Sequence, residues 1–249
     1  MAKIVELSGS PGVGKTTIYR EINARWKKNY NWIPGHYLCP HPSLSFEYIR
    51  MFLSYLPKRL KGKLGGTFYD MKMEARKRFV EQYPKYMDAC WKDLIVKQKK
   101  TLNGLDIRLK KADLLGGQIE TFQFLRESQT DKIAILEEGL IHQLDVLSFC
   151  DTYEEIIEII EVMPLPDGLI NIKTDVSETV RRLMQRGEFI SHHTSLTIDQ
   201  LEEVTKQSQE RRMMINKVLE DKGIPILDID AKASIETNTD KILSFIEKL

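Results

Sequence analysis

Eight consecutive residues, Gly9-Ser10-Pro11-Gly12-Val13-Gly14-Lys15-Thr16, carry the plainest chemistry in this 249-residue chain. They match G-x-x-x-x-G-K-[ST] at every fixed position. Glycines open backbone angles closed to other residues and let the main chain approach phosphate oxygens. Successive N–H groups at a helix N-terminus line a concave anion site. Lys15 is then placed for the β- and γ-phosphates, the Thr16 hydroxyl for Mg²⁺, and Thr17 for the next contact along the helix. The ligands expected over residues 9–17 are ATP and Mg²⁺.

Two further groups suit the same chemistry. Glu137 and Glu138 follow the apolar run Lys132–Leu136. An acid there can hold the metal or its water, or polarise a substrate hydroxyl. The competing reading is a pair of carboxylates favoured by the dipole of the helix that follows. Glu137, the first acid after the run, is the one expected to point inward. Arg182 and Arg186 lie four apart, on one helical face, before Gly187 and a polar stretch to Thr197. Guanidinium groups there can face a phosphoryl group in transfer; a solvated basic face is the alternative.

The elements that position these groups follow from periodicity. Lys3–Ser8 reads as a buried strand ended by Gly9, and 16–28 as a helix with Ile18, Ile22 and Trp26 on one face. Residues 31–39 read as a second strand broken by Pro34 and Gly35. From about 43 to 130 the pattern is helical, punctuated by Pro57, Gly62, Gly65-Gly66, Pro84 and Gly116-Gly117, with a clear helix over 118–127. Strands at 132–136, 169–172 and 224–229 alternate with helices at 140–149, 153–162, 177–185, 201–219 and 239–249. Strands separated by helices imply parallel pairing and right-handed crossovers. The expected fold is α/β: a three-layer α/β/α nucleotide-binding domain with a five-stranded parallel sheet, its ligand at the carboxyl ends of the strands. One domain spans 1–249, with a helical acceptor-binding insert over about 43–130 and a lid over about 181–197.

Composition narrows the function classes. Net charge is +1 and 42% of residues are hydrophobic, which argues against a chain coated in basic residues for bulk nucleic-acid binding. Cys39, Cys90 and Cys150 are too far apart for a disulfide framework or a zinc site. No apolar run approaches ~18 residues and the N-terminus enters a strand directly, so the expected location is cytoplasmic. The basic runs Lys58-Arg59, Lys61, Lys63 and Lys97, Lys99-Lys100 read as solvated faces. His192-His193 has no further ligand at metal spacing.

The segment from Asp167 through Leu169-Ile170-Asn171-Ile172, Ser177 and Arg182 to Arg186-Gly187 resembles thymidylate kinases and deoxynucleoside kinases. Gly223-Ile224-Pro225-Ile226-Leu227-Asp228-Ile229-Asp230-Ala231 is similar to that family's final strand, whose following loop packs near the adenine. The resemblance covers both ends of the chain and the strand at 132–136, and not residues 30–130. It implies a P-loop kinase in which Lys15 and the loop amides hold ATP and Arg182 and Arg186 are lid arginines. It also implies that an arginine such as Arg76 or Arg78, after Asp70, grips the acceptor. Two positions depart from the pattern. Glu188 stands where a further arginine is usual, and the end of the second strand offers His36, Tyr37 and His41, with Glu47 beyond, in place of a carboxylate.

The leading expectation is transfer of the γ-phosphoryl group from ATP to a small-molecule acceptor, a nucleoside or nucleotide. The alternatives are a P-loop ATPase or switch acting on a protein partner, and a polynucleotide 5'-end kinase. A membrane or nucleic-acid partner is not expected, and a homodimer is left open.

Overall fold

Strand β1, Lys3–Ser8, alternates between two cores. Ile4 packs into one cluster and Val5 and Leu7 into another, as the period-two geometry of a strand requires when both faces are covered. The computed structural model describes residues 1–39, 71–96, 101–102, 105–146, 152–186 and 196–249.

Five strands form one parallel sheet: β1, β2 (Trp32–Pro34), β5 (Ile133–Leu136), β6 (Gly168–Lys173) and β7 (Ile226–Asp230), in the order β2-β5-β1-β6-β7. Helices 15–25 and 235–246 cover the face of Val5 and Leu7, with Ile18, Ile22, Ile242 and Ile246 buried there. Helices 84–96, 107–127, 140–146, 153–162 and 198–221 cover the face of Ile4, through side chains such as Tyr86, Phe122, Leu144, Ile160 and Ile215. The fold is therefore the expected P-loop three-layer α/β/α arrangement. Because β1 lies between β5 and β6, the chain turns opposite ways from its carboxyl end. That is the crevice where open α/β sheets take ligands.

Several boundaries differ from the sequence expectation for identifiable reasons. The second strand is only Trp32–Pro34, after which Gly35–Tyr37 forms one 3₁₀ turn. Pro34 offers no N–H to extend the ladder. Helix 107–127 runs through Gly116-Gly117 rather than starting after them. Its buried face, Leu115, Ile119, Phe122 and Leu125, outweighs roughly 1 kcal/mol of helix cost per glycine. Gly116 also has a packing reason, since a Cβ there would sit 3.0 Å from the Arg76 guanidinium. A two-stranded antiparallel ladder not anticipated from sequence, β3 (Thr101–Leu102) with β4 (Leu105–Asp106), precedes that helix. Helix 153–162 has the expected bounds, fixed at its start by a capping box between Thr152 and Glu155. Among the described residues no helix is long and apolar enough to cross a membrane.

The sheet itself carries a buried acid. Glu6, in the central strand, is fully buried. Its carboxylate accepts the backbone N–H groups of Leu140 (3.1 Å) and Ile141 (3.0 Å). Burial pushes its pKa up to about 7, against the two N–H donors and the more distant Arg126, which pull it down. The folded-state value thus lies above the unfolded one. The group's stabilising contribution is complete below the unfolded value and lost as pH rises through about 7. Lowering the pH from 8 to 5 should stabilise the native protein relative to Glu6→Gln by about 2.5 kcal/mol. Urea midpoints of the two proteins across that range measure it. A constant difference rejects the raised value.

Candidate active site

The glycine-rich loop runs from the end of β1 into helix 15–25. Gly14 occupies the left-handed region (φ 108°) as the residue before the helix, and Gly12 lies there too, at φ 85°. At Gly12 space forbids a side chain as well: a Cβ would stand 2.7 Å from Leu183 of helix 176–186. The loop is closed by Val13 N–H on the Ser10 carbonyl (3.2 Å), and the Gly14 carbonyl takes the N–H of Thr17 (3.1 Å).

Lys15 is buried, with its ammonium donating to the Gly9 carbonyl at 2.7 Å. Thr16 Oγ1 donates to Glu137 Oε1 at 2.5 Å. Glu138 Oε1 stands 3.7 Å from Lys15 Nζ and 3.3 Å from His142 Nε2. The two acids, alike in sequence, thus face different partners. A hydroxyl and a carboxylate oxygen side by side are hard donors of the kind Mg²⁺ takes, and Thr16 and Glu137 fit that ion. Burial, then the charges of Lys15 and Arg212, hold the His142 pKa well below its usual value. The ring is therefore neutral at neutral pH, and its Nε2–H is placed to donate to Glu138.

Arg182 reaches back across the loop. Its guanidinium donates to the carbonyls of Val13 (3.0 Å) and Ala231 (3.1 Å) and to Glu178 Oε1 (2.7 Å). Arg181, then Arg182, pull the Glu178 pKa down to about 2. Arg182 therefore ties helix 176–186 to the loop and to the turn after β7. A cavity of about 390 Å³ opens beside this tie, lined by Gly12, Val13, Thr17, Arg182, Ala231 and Asn238. The Arg182→Ala variant should raise the KM for ATP and lower kcat, each by about tenfold, because it frees the loop and removes a cavity wall. Arg182→Lys should not restore either, since one ammonium cannot span the same carbonyls. Steady-state kinetics at varied ATP checks both, and unchanged constants would remove Arg182 from the site.

Several of the remaining sequence candidates are not among the described residues. The Arg186 side chain, residues 187–195 with His192-His193, the acceptor candidates His41 and Glu47, and the basic runs at 58–63 and 97–100 lie outside the described residues, as does Asp70. His36 stands just beyond β2, its Nδ1 3.2 Å from the Tyr19 hydroxyl. Arg76 and Arg78 pair with Glu120 (2.5 Å) and Glu127 (2.6 Å), joining helices 71–82 and 107–127.

Three residues near the loop escaped sequence reasoning: Glu6, His142 and Arg212. Arg212, buried on helix 198–221, donates to the Ser8 hydroxyl at 3.2 Å where β1 meets the loop. It also lines a second cleft of about 580 Å³ over β6 and β7, with Asn171, Lys173, Gln209, Asn216 and Asp228. The available signals were a lone acid inside an apolar strand, a histidine four residues after Glu138, and an arginine pair, Arg211-Arg212, in a long helix.

No protein-family model matches the chain, and no curated protein sequence matches it. Solved structures do. A deoxyadenosine kinase from M. mycoides, with the products dCMP and a flexible dCDP bound, superposes over 99% of this chain and 100% of its own, with a TM-score of 0.50 and 14% identity. The same enzyme with bound dATP gives a TM-score of 0.49, also at 14% identity, over 98% of this chain and 99% of its own. The shared feature is the fold, which agrees with the resemblance drawn from residues 167–187 and 223–231.

Proposed function

We propose that this chain is an ATP-dependent phosphotransferase that moves the γ-phosphoryl group to a small-molecule acceptor of the nucleoside or nucleotide class. The observation that carries it is the 2.5 Å contact of Thr16 Oγ1 with Glu137 Oε1. It joins the hydroxyl of the phosphate loop to the acid of the neighbouring strand, beside the buried Lys15. The same carboxyl-end crevice holds a cavity walled by the loop and by Arg182, suited to the donor's base. The likeness in fold to a deoxyadenosine kinase supports the acceptor class.

In this reading the loop amides hold the triphosphate. Thr16 and Glu137 would hold Mg²⁺, which would supply charge neutralisation to the bound triphosphate. Lys15 exchanges the Gly9 carbonyl and Glu138 for phosphate oxygens and stabilises charge on the migrating group. Glu138, shared between Lys15 and the neutral His142, keeps the ammonium oriented until the nucleotide arrives. Arg182 fixes the loop from outside. Helices 71–82, 84–96 and 107–127 wall the acceptor side, and the single domain spans the chain.

The test is a panel of nucleosides, nucleotides, sugars and oligonucleotides incubated with purified protein, ATP and Mg²⁺, with products resolved by mass. Phosphorylation of a nucleoside or nucleotide is expected. Transfer to oligonucleotide ends alone, or ATP hydrolysis stimulated by a protein with no small acceptor modified, overturns the proposal.

A further inference from the structure

We infer that Glu6 is a positioning residue of this site: its buried carboxylate, anchored on the N–H groups of Leu140 and Ile141, fixes the Glu137–Gly139 turn that sets Glu137 against Thr16 and Glu138 against Lys15. The inference rests on the reading of Glu137 as the metal-facing acid. Three observations support it.

First, the placement is central. β1 pairs with β5 so that Glu6 lies in register with Leu136, the residue before the acid pair. The strand thus presents one carboxylate directly beneath the turn. Second, that carboxylate uses both oxygens on the turn's far side, Oε1 on Leu140 N–H and Oε2 on Ile141 N–H. These are the first two N–H groups of helix 140–146, which have no partner within the helix. Third, Gly139 leaves no room for anything else, because a Cβ there would overlap the Glu6 carboxyl group. The turn is therefore held from below by hydrogen bonds and pressed against the carboxylate at its tightest point. A shift of the carboxylate toward Gly139 must displace the turn.

A hydrophobic residue at position 6 would bury more easily, as its neighbours Ile4, Val5 and Leu7 do. A buried carboxylate is costly unless its hydrogen bonds are met. Here both are met by the segment that carries the site's acids. Glutamine cannot reproduce this, since its single carbonyl oxygen satisfies one N–H while its amide N–H₂ opposes the other.

The experiment compares the native protein with Glu6→Gln, Glu6→Ala, Gly139→Ala and the double variant Glu6→Ala/Gly139→Ala. Three quantities are read: ATP affinity in EDTA, Mn²⁺ affinity of the ATP-loaded protein by electron paramagnetic resonance, and hydrogen exchange over 137–142. Glu6→Gln and Gly139→Ala should weaken Mn²⁺ binding by about tenfold, more than they weaken metal-free ATP affinity, and speed exchange over 137–142. Removing the carboxylate makes room for the alanine methyl. The double variant should therefore bind Mn²⁺ about fivefold more tightly than Gly139→Ala alone, a rescue that a general loss of packing does not give. Should Glu6→Gln fail to fold, Gly139→Ala and its rescue carry the test. Native-like Mn²⁺ affinity in both single variants, or an additive double variant, overturns the inference. If the native protein binds no Mn²⁺ with ATP, the donor-site reading falls. Exchange over 137–142 then decides the anchoring alone: faster exchange in Glu6→Gln upholds it and unchanged exchange rejects it.

Discussion

Replacing Lys15 with alanine is expected to lower kcat/KM for phosphoryl transfer by about 10³-fold, the scale of losing one preorganised charge at a transferring group. Lys15 is buried at the mouth of the loop and already directed along it by the Gly9 carbonyl. The loss should fall mainly on kcat, because the loop amides still hold the triphosphate in the ground state. Lys15→Arg should fare little better, since the planar fork exceeds the compact site that an ammonium fills. Single-turnover assays with the accepted substrate, beside ATP binding in the same variants, measure the split. A variant within a few-fold of the native rate removes Lys15 from the chemistry.

The second large effect is expected at Glu137. Glu137→Gln keeps an oxygen to accept from Thr16 Oγ1, so the 2.5 Å contact and the local fold survive. What disappears is the negative charge beside the metal. Turnover should fall by about 10²-fold and the Mg²⁺ concentration for half-maximal activity should rise by about tenfold. Glu138→Gln serves as the control. Glu138 is 43% exposed and faces Lys15 and His142 rather than Thr16, so its loss should change Mg²⁺ dependence little. Magnesium titrations of both variants at fixed ATP decide between the acids. Equal effects at 137 and 138 dissolve the distinction drawn from geometry.

That distinction shows where the sequence stops being legible. The loop at 9–16 is readable because every fixed position in it answers to one requirement of phosphate binding. The sheet is readable because strands buried on both faces are short apolar runs, such as Ile133–Leu136 and Gly168–Lys173. The acid pair is only half readable. Which of two adjacent glutamates points inward is set by the turn that carries them, and that turn is built on Glu6, more than 130 positions earlier in the chain. No local pattern encodes such a contact. Arg182 was legible as a cation near the loop, yet its three hydrogen-bond partners lie on Val13, Glu178 and Ala231. Those contacts make it a brace as well as a charge. Arg76 and Arg78 were legible as cations of this helical region, while their pairing with Glu120 and Glu127 of helix 107–127 was not. Gly116-Gly117 looked like a break and is helical, because the buried face on either side decides the conformation.

The strand order carries a consequence for how copies of this molecule meet. Open sheets end in strands with unpaired N–H and C=O groups, the usual template for edge-to-edge aggregation. Among the described residues, one margin is β2, only three residues long and finished by Pro34. The other is β7, whose exposed Asp228 and Asp230 alternate with its buried Ile229. A proline that cannot donate guards one side, and two acids, one of them paired with Lys173, mark the other. Among the described residues, both margins of the sheet thus carry features that oppose edge-to-edge growth.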